Sequence, residues 1–385
     1  MLVGLSLLGA VACGAQTPTA VDATDPADTS AAEAGTADAG TESAPATGAA
    51  SVDDVYAELG DLAGEERRER LVEIASEEEG TLRVYTSMNT EEIQPVVDAF
   101  KEDTGLEALV YRASNEDVLK RVLEEHKAAF DDGADVILNN APEMELASRE
   151  GLLAPLDSPA TEGIGVVEDD WAAANLLVYL TAWNVNTVPS ESVPSSMEDA
   201  LAHEGPLAYQ YEDTLWFATL VTEWYMNELG MTEREAVEEI KAGLSEGARI
   251  VDGHTLGANL LASGEYDVAS SLYHHTLVQM IEDGAPLAWE PAIEPLIVNS
   301  LGVGMHKETG QPAGALLLAE YMLTDMQQML PEFGRTPALE GAPGGLPAEY
   351  DPIPVRLDLY IDNREHWEGL NLEVVNAIGG EILAE

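Results

Sequence analysis

Tyrosine and histidine side chains cluster at one point in the second half of the chain. Tyr273 ends the apolar run 267–273, and His274 and His275 follow it where a helical pattern begins, so the three residues mark a strand-to-helix junction. Phenol and imidazole groups bind hard or borderline metal ions, and they also stack on organic solutes and hydrogen-bond to them. Polar rings next to an apolar strand are costly to bury without partners. We therefore expect all three side chains to serve a binding site.

Other ring and hydroxyl groups stand at similar junctions. His254 and Thr255 follow the strand pattern that begins at Arg249, and Trp216 lies near the start of a long helical pattern that Asp213 is suited to cap. We expect His254, Thr255 and Trp216 to line the same site. The competing interpretations are that Trp216 belongs to the core and that His254 is an ordinary loop histidine.

Strands and helices alternate in the first half of the folded chain. Short apolar runs at 81–87, 106–112 and 134–140 are each followed by a helical pattern, which predicts a parallel sheet covered by helices. In such sheets the ligands bind beyond the carboxyl ends of the strands. The side chains placed there, with backbone N–H groups at helix starts, are Ser87, Asn89, Ser114, Asn140 and Glu143.

A second α/β unit follows, and the chain then returns to the first. The run 178–186 is predicted to leave the first unit as a strand, and the runs 286–291 and 297–305 are predicted to return to it. The fold class is therefore α/β, with two parallel-sheet lobes joined by crossing strands around a ligand cleft. The expected organisation is a helical segment 51–79, a first lobe 80–182, a second lobe 183–290, and the return with the C-terminal helices at 291–385.

The start of the chain indicates export and anchoring. Residues 1–12 form an apolar run that is too short to span a bilayer, which needs about 20 residues, and that fits a secretory signal. The stretch LLGAVAC, ending at Cys13, resembles a bacterial lipobox, in which the cysteine carries the lipid anchor. Residues 13–50 are rich in Ala, Gly, Thr, Ser and acidic residues, so they are predicted to form a disordered tether. We expect a lipoprotein held on the outer face of the cell membrane.

Composition excludes some functions. With 17 basic against 72 acidic residues and a net charge of −55, the chain offers no clustered lysines and arginines for nucleic acid. Most of this acidic excess is expected on a halotolerant outer surface, away from polar and neutral cleft loops. The metalloprotease motif HExxH and the nucleophile-elbow motif GxSxG are absent, so catalysis is not expected.

Several segments, in order, resemble extracellular solute-binding proteins of ABC importers, in the ferric-iron-binding branch. The matching stretches include GTLRVYTSMNTEEIQPVVDAF, ADVILNNAPEMELASREGLLAPL, YDVASSLYHHTL and DNREHWEGL. The resemblance implies a two-lobed periplasmic-binding-protein fold of type II that closes on its solute. It also implies delivery to an ABC permease with its ATPase, and no resident cofactor.

The resemblance implies a metal site as well. The family's iron site uses two adjacent tyrosines: Tyr273 matches the first, and His274 stands at the second position. Asn89 stands where some members have a histidine. Ferric iron or a ferric chelate, held by Tyr273, His274 and Glu143, is thus the first substrate hypothesis. A small organic or oxyanionic solute, an extracellular metal-dependent hydrolase, and an adhesion or sensory protein remain alternatives.

Overall fold

The computed structural model describes residues 51–130, 132–211, 213–244, 248–347, 349–379 and 383–384. The predicted leader 1–12, Cys13 and the predicted tether 13–50 lie outside the described residues. Within the described ranges, no helix has both the length and the apolar character needed to cross a membrane.

Helices and strands alternate through most of the described chain. The helices are α1 Val52–Leu59, α2 Gly64–Glu77, α3 Thr90–Thr104, α4 Asn115–Lys127, α5 Ala141–Arg149, α6 Met197–Leu201, α7 Thr214–Thr219, α8 Glu233–Gly243, α9 His254–Ser263, α10 His274–Glu282, α11 Pro312–Leu323, α12 Asp325–Met329, α13 Leu357–Asp362 and α14 Arg364–Ile378. A π-helix, Leu220–Glu228, continues α7, and 3₁₀ turns occur at Pro159–Thr161, Ser190–Ser192 and Leu330–Phe333.

The strands form one continuous sheet. They are β1 Leu82–Thr86, β2 Ala108–Arg112, β3 Val136–Asn140, β4 Trp171–Asn184, β5 Leu207–Gln210, β6 Ala248–Asp252, β7 Val268–Tyr273, β8 Leu287–Ala288, β9 Ile297–Met305, β10 Thr336–Pro337, β11 Ile353–Pro354 and β12 Leu383–Ala384. Their order is β12-β6-β5-β7-β4-β9-β3-β1-β2, with β8 and β10 also paired to β4 and β11 paired to β9.

The sheet consists of two parallel halves joined by antiparallel strands. In the first lobe β2, β1 and β3 are parallel, and β9 lies antiparallel to β3. In the second lobe β6, β5 and β7 are parallel. The long strand β4 joins the two, because it pairs antiparallel with β9 up to Tyr179 and with β7 from Tyr179 onward. Tyr179 therefore lies where the chain crosses between the lobes. This arrangement confirms the predicted two-lobed α/β class.

Local sequence explains why the first-lobe helices begin and end where they do. Asn89 and Glu92 form a capping box at the start of α3, and Gly105 ends that helix in the left-handed conformation with φ 78°. The helix buries Ile93 and Phe100 on one face. The strand β3 is buried along almost its whole length, as expected for a parallel strand covered on both faces.

Each lobe has its own apolar core. In the first lobe the residues around Phe100 and Leu138 pack with α11, and α1 and α2 cover α11 on the outside. The second-lobe core includes Tyr209, Phe217 and Trp216, whose side chain is only 2% exposed. Trp216 is therefore a core residue. The predicted ligand-binding role for it is wrong, because its large apolar ring is more favourably buried inside the lobe.

The C-terminal region divides between the lobes. The return strand β9 and the helices α11 and α12 lie with the first lobe. In contrast, α14 packs against α7 and α8, with Trp367 in the second-lobe core, and β12 pairs with β6. The last helix, α14, thus belongs with the second lobe, although it follows the return in sequence, whereas α13 contacts both α5 and α7.

Candidate functional site

A cavity of about 510 Å³ lies between the lobes at the carboxyl ends of the parallel strands. The first lobe contributes residues at the starts of α4 and α5, and the second lobe contributes residues at the ends of β5, β6 and β7. The end of α13 and the start of α14 close one side. The lining polar side chains are Asn115, Glu116, Asn140, Glu143, Tyr179, Gln210, Asp213, Asp252, His254, Tyr273, Tyr360 and Arg364.

Helix starts converge on this cavity because each follows a parallel strand. The helices α5, α9 and α10 begin directly after β3, β6 and β7, so their free N–H groups lie at the strand ends that border the cavity. The turn into α9 uses Gly253, whose φ of 114° disfavours a residue with a side chain. Gly257 allows close packing, since a Cβ there would lie 2.5 Å from the Gln210 amide nitrogen.

Aromatic rings form a stack along the second-lobe wall. The ring of His254 lies 3.7 Å from that of Tyr273 at an angle of 27°, and His275 stacks on the same tyrosine at 5.3 Å. Tyr179 approaches Tyr273 to 5.2 Å between ring centroids. Burial, and secondarily the charge of Asp213, raises the pKa of the Tyr273 phenol above its usual range. Without a cation beside it, this phenol is neutral and hydrogen-bonds a solute as a donor or an acceptor.

Asp213 orients the histidine of this stack. One carboxylate oxygen lies 3.0 Å from His254 Nε2, and the other accepts a 2.5 Å hydrogen bond from Ser271 Oγ. Contrary to expectation, Asp213 does not cap α7, because its side chain makes no capping hydrogen bond. Both of its oxygens are instead engaged on the second-lobe wall. The buried carboxylate therefore fixes the ring of His254 against Tyr273.

Glu143, at the start of α5, is the acidic group most strongly affected by the cavity. Burial raises its pKa to about 7; the negative charge of Glu116 adds to this effect, and Arg364 opposes it. Glu143 thus changes between a neutral hydrogen-bond donor and an anion near neutral pH. Asp213 and Asp252 line the opposite side. The expectation of neutral cleft loops is therefore wrong, because four carboxyl groups and one arginine are found among the described residues that line this cavity.

Solved structures share this architecture. The chain is similar to iron-bound HitA from Pseudomonas aeruginosa (17% identity, TM-score 0.60, covering 77% of this chain and 99% of that one). It is similar to FutA from Trichodesmium in complex with iron and citrate (20%, TM-score 0.61, 77% and 99%). It is also similar to the periplasmic binding protein AfuA from Actinobacillus pleuropneumoniae with fructose-6-phosphate bound (17%, TM-score 0.59, 77% and 99%). This chain has the periplasmic-binding-protein fold.

The likeness establishes the fold, and the sheet order β2-β1-β3-β9-β4 of the first lobe, with β9 antiparallel, agrees with the expected type II arrangement. At the level of sequence alone, no known family and no curated protein matches the chain. The three similar structures hold iron, iron with citrate, and a sugar phosphate. The solute of a periplasmic-binding-protein fold is therefore decided by the side chains of its cleft.

Four of the predicted site residues line the cavity. They are Asn140, Glu143, His254 and Tyr273. Each stands at a strand end or in the first turn of the following helix, where a side chain faces the opposite lobe. His275 contacts the cavity wall only indirectly, through its stacking on Tyr273, and burial lowers its pKa to about 3. The roles of these residues in binding remain predictions.

His274 points away from the cavity. Its Nδ1 lies 3.0 Å from the Thr336 hydroxyl, its ring meets Trp289 edge-on at 5.0 Å, and burial lowers its pKa to about 4. Adjacent residues at a strand end point to opposite sides, so Tyr273 and His274 do not face one ion together. The predicted metal set of Tyr273, His274 and Glu143 is therefore not assembled in this structure.

Four further predicted residues stand at strand ends or helix starts. Ser114 caps α4 by accepting a 3.2 Å hydrogen bond from the Asp117 N–H, and Asn89 accepts one from Arg112 as well as capping α3. Neither they nor Ser87 and Thr255 are among the residues that the structure shows lining the cavity. The side chains of Ser114 and Asn89 are used at helix starts instead, which the same sequence pattern equally predicts.

Sequence patterns did not predict several polar side chains that line the cavity. Tyr179 lies inside the long apolar run of β4, where almost every residue is buried, so no pattern distinguishes it from a core residue. Tyr360 lies in α13, and Arg364 is the first residue of α14. Their spacing of four residues is the only local indication in the sequence that the two side chains lie together. Asp252 directly precedes Gly253 at the end of β6, so the strand-end rule applied to the second lobe would have found it.

Proposed function

We propose that this protein is the solute-binding subunit of an ABC importer and that it captures a small organic solute bearing a cationic group. The observation that carries the proposal is the inter-lobe cavity of about 510 Å³, lined by tyrosine and histidine rings and by carboxyl groups. Aromatic faces and carboxylates together favour organic cations through cation–π and charge-assisted hydrogen bonds. A single metal ion would leave most of this volume unfilled.

Binding couples to closure of the lobes. Glu116 and Glu143 belong to the first lobe, whereas Asp252 and Tyr273 belong to the second. A solute that contacts both sets gains interactions only in the closed state, which shifts the population of open and closed forms toward closure. Arg364, whose side chain is also bonded to Glu368, would bind an acidic group on the same solute.

The cellular setting is part of the proposal. Cys13 would anchor the protein to the outer face of the cell membrane, and the partners would be a permease and its ATPase. We assign no catalytic step to the cleft. The similar fold of HitA, FutA and AfuA supports this role, and so does the order of the matching sequence segments.

Ferric iron or a ferric chelate is the second candidate. The observation that favours it is the close pair of phenols, Tyr179 and Tyr273, whose ring centroids are 5.2 Å apart beside the cavity that Glu143 also lines. A ferric ion would lower the phenol pKa and bind the phenolates, with Glu143 in place of the inward-turned His274.

Native mass spectrometry of freshly purified protein tests both candidates. We expect a retained mass of an organic solute and, after its removal by refolding, thermal stabilisation by primary amines or quaternary ammonium compounds but not by sugar phosphates. Ferric citrate added to the same protein should produce no tyrosinate charge-transfer band. A visible band that disappears in Tyr273→Phe would replace the organic-cation proposal with the iron one. Stabilisation by sugar phosphates alone would contradict both.

A further inference from the structure

A second cluster of ionisable side chains lies at the other end of the first-lobe sheet. His126 is in the last turn of α4, and His306 and Glu308 follow the end of β9. Because β9 is antiparallel to β3, it ends beside Val136, the first residue of β3. The solute cavity lies beyond Asn140, the last residue of that strand. The cluster is therefore separate from the solute cavity.

The geometry of the cluster suits a metal ion. One ligand atom from each of His126, His306 and Glu308 lies within 4.8 Å of the other two, and within the described ranges no other group of His, Cys, Asp or Glu comes together in this way. His126 Nδ1 is 2.9 Å from Glu308 Oε2. Ligand atoms around a tetrahedral zinc ion are separated by roughly 3.4 Å. His126 is half-buried and Glu308 is exposed, so both side chains have room to rotate toward this ligand spacing.

His306 is buried, and its imidazole makes few other polar contacts with the described residues. Its side chain lines the same cavity as those of His126 and Glu308, and its relative exposure is 9%. Its Nδ1 accepts only a long hydrogen bond of 3.3 Å from the Glu308 backbone N–H. A metal would exchange this weak hydrogen bond for a coordination bond.

A buried carboxylate oxygen provides an independent indication. Glu125 and the three residues of the cluster line one cavity of about 240 Å³, the histidine–glutamate cavity. The Oε1 atom of Glu125 accepts hydrogen bonds from Tyr85 and Arg121. Its Oε2 is buried and has no hydrogen-bond partner among the described residues. The neighbouring Asp135 differs, because its oxygens are taken by the Thr309 hydroxyl and a backbone N–H. An unpartnered buried anionic oxygen is costly unless a cation or a donor satisfies it.

We propose that His126, His306 and Glu308 bind one divalent transition-metal ion of the zinc class, with solvent completing the coordination and the Glu125 carboxyl group lining the same cavity. Two imidazoles and one carboxylate form a donor set that suits zinc, nickel, cobalt or copper and disfavours magnesium and calcium. The ion would join the end of α4 to the turn after β9. All of its ligands belong to one lobe, so the site stabilises the first lobe and does not depend on the solute.

Cobalt binding to the chelator-treated full chain tests the site, because tetrahedral Co²⁺ with these ligands absorbs visible light. We expect one Co²⁺ per chain with intense d–d bands, displacement by ZnCl₂, and a higher unfolding temperature with the metal. Glu308→Gln and His306→Ala should each weaken binding at least about tenfold. Glu308 is exposed, so its replacement does not threaten folding.

Two matched controls separate this site from other metal binding. His366→Gln removes another histidine–glutamate pair, with His366 Nε2 3.0 Å from Glu233 Oε2, and Tyr273→Phe alters the solute cavity. Both variants should retain the cobalt spectrum. The proposal is overturned if wild-type protein shows no stoichiometric Co²⁺ bands, or if the bands persist in His306→Ala and Glu308→Gln. Loss of the bands in Tyr273→Phe would assign the metal to the solute cavity and would equally overturn it.

Discussion

The two polar cavities of this protein differ in which parts of the fold build them. The cavity between the lobes takes its walls from both halves of the sheet, and its side chains follow the carboxyl ends of β3, β6 and β7. The histidine–glutamate cavity lies at the opposite end of the first-lobe strands and belongs to that lobe alone. A ligand in the first cavity thus responds to lobe closure, whereas one in the second responds only to the stability of a single lobe.

Removal of the central ring of the aromatic stack should have the largest effect on the inter-lobe cavity. Tyr273→Ala leaves His254 and Tyr179 without their shared stacking partner. We expect solute affinity to fall about 100-fold, or about 2.7 kcal/mol. Isothermal titration with the retained solute measures this change. Cobalt affinity at the histidine–glutamate cavity should be unchanged. Equal losses of affinity at both cavities would show that the two sites are not independent.

His274 should matter for stability and not for solute binding. His274→Ala removes a buried ring that packs on Trp289 and bonds to Thr336, so we expect a loss of about 2 kcal/mol in the free energy of unfolding. Denaturant titration measures it, and solute affinity should change less than threefold. A large loss of affinity with intact stability would restore His274 as a ligand.

The inter-lobe cavity should also bind cations in a pH-dependent way. The folded-state pKa of Glu143 is raised to about 7, so the side chain becomes negative as pH rises through that value. Affinity for a cationic solute should therefore be about tenfold higher at pH 8 than at pH 6. The free energy of unfolding of the protein without solute depends on pH in the opposite direction. Because burial favours the protonated form, the stability contributed by Glu143 is present at low pH and is lost between its unfolded value of 4.5 and about 7.

The substitution Glu143→Gln tests whether Glu143 causes the pH dependence of solute affinity. The amide keeps the size of the side chain but does not ionise, so the affinity difference between pH 6 and pH 8 should disappear. Titration of wild type and variant at both pH values measures it. If the pH dependence persists in Glu143→Gln, another group in the cavity is responsible.

The smallest effect is expected for the helix cap at Ser114. Ser114→Ala removes the hydrogen bond to the Asp117 N–H and should cost about 1 kcal/mol of unfolding free energy. Solute affinity should not change, because Ser114 is outside the residues that line the cavity. Thermal unfolding and titration of the same preparation measure both quantities. Weaker solute binding would return Ser114 to the binding site.

Local patterns predicted the strands near the site accurately. The apolar run 297–305 coincides with β9, and the predicted run 267–273 differs from β7 by one residue. These runs are bounded by glycine, proline or polar residues, so the signal is local. The same rule placed Asn140, Glu143, His254 and Tyr273 at strand ends. It did not give the direction of His274, because side-chain direction at a strand end depends on what packs behind the strand.

The amino-acid sequence by itself determined the two-lobed α/β class, the strand ends that border the cleft and a third of the polar side chains there, because periodicity and capping are properties of neighbouring residues. The tertiary structure alone decided which carboxyl groups meet in the cleft, that Trp216 and His274 face inward, and that Tyr360 and Arg364 reach the site from the last helices. It also brought His126 to His306, which lie 180 positions apart in the numbering. Contacts of that kind depend on strand pairing and helix packing across the whole sheet, and no local pattern records them.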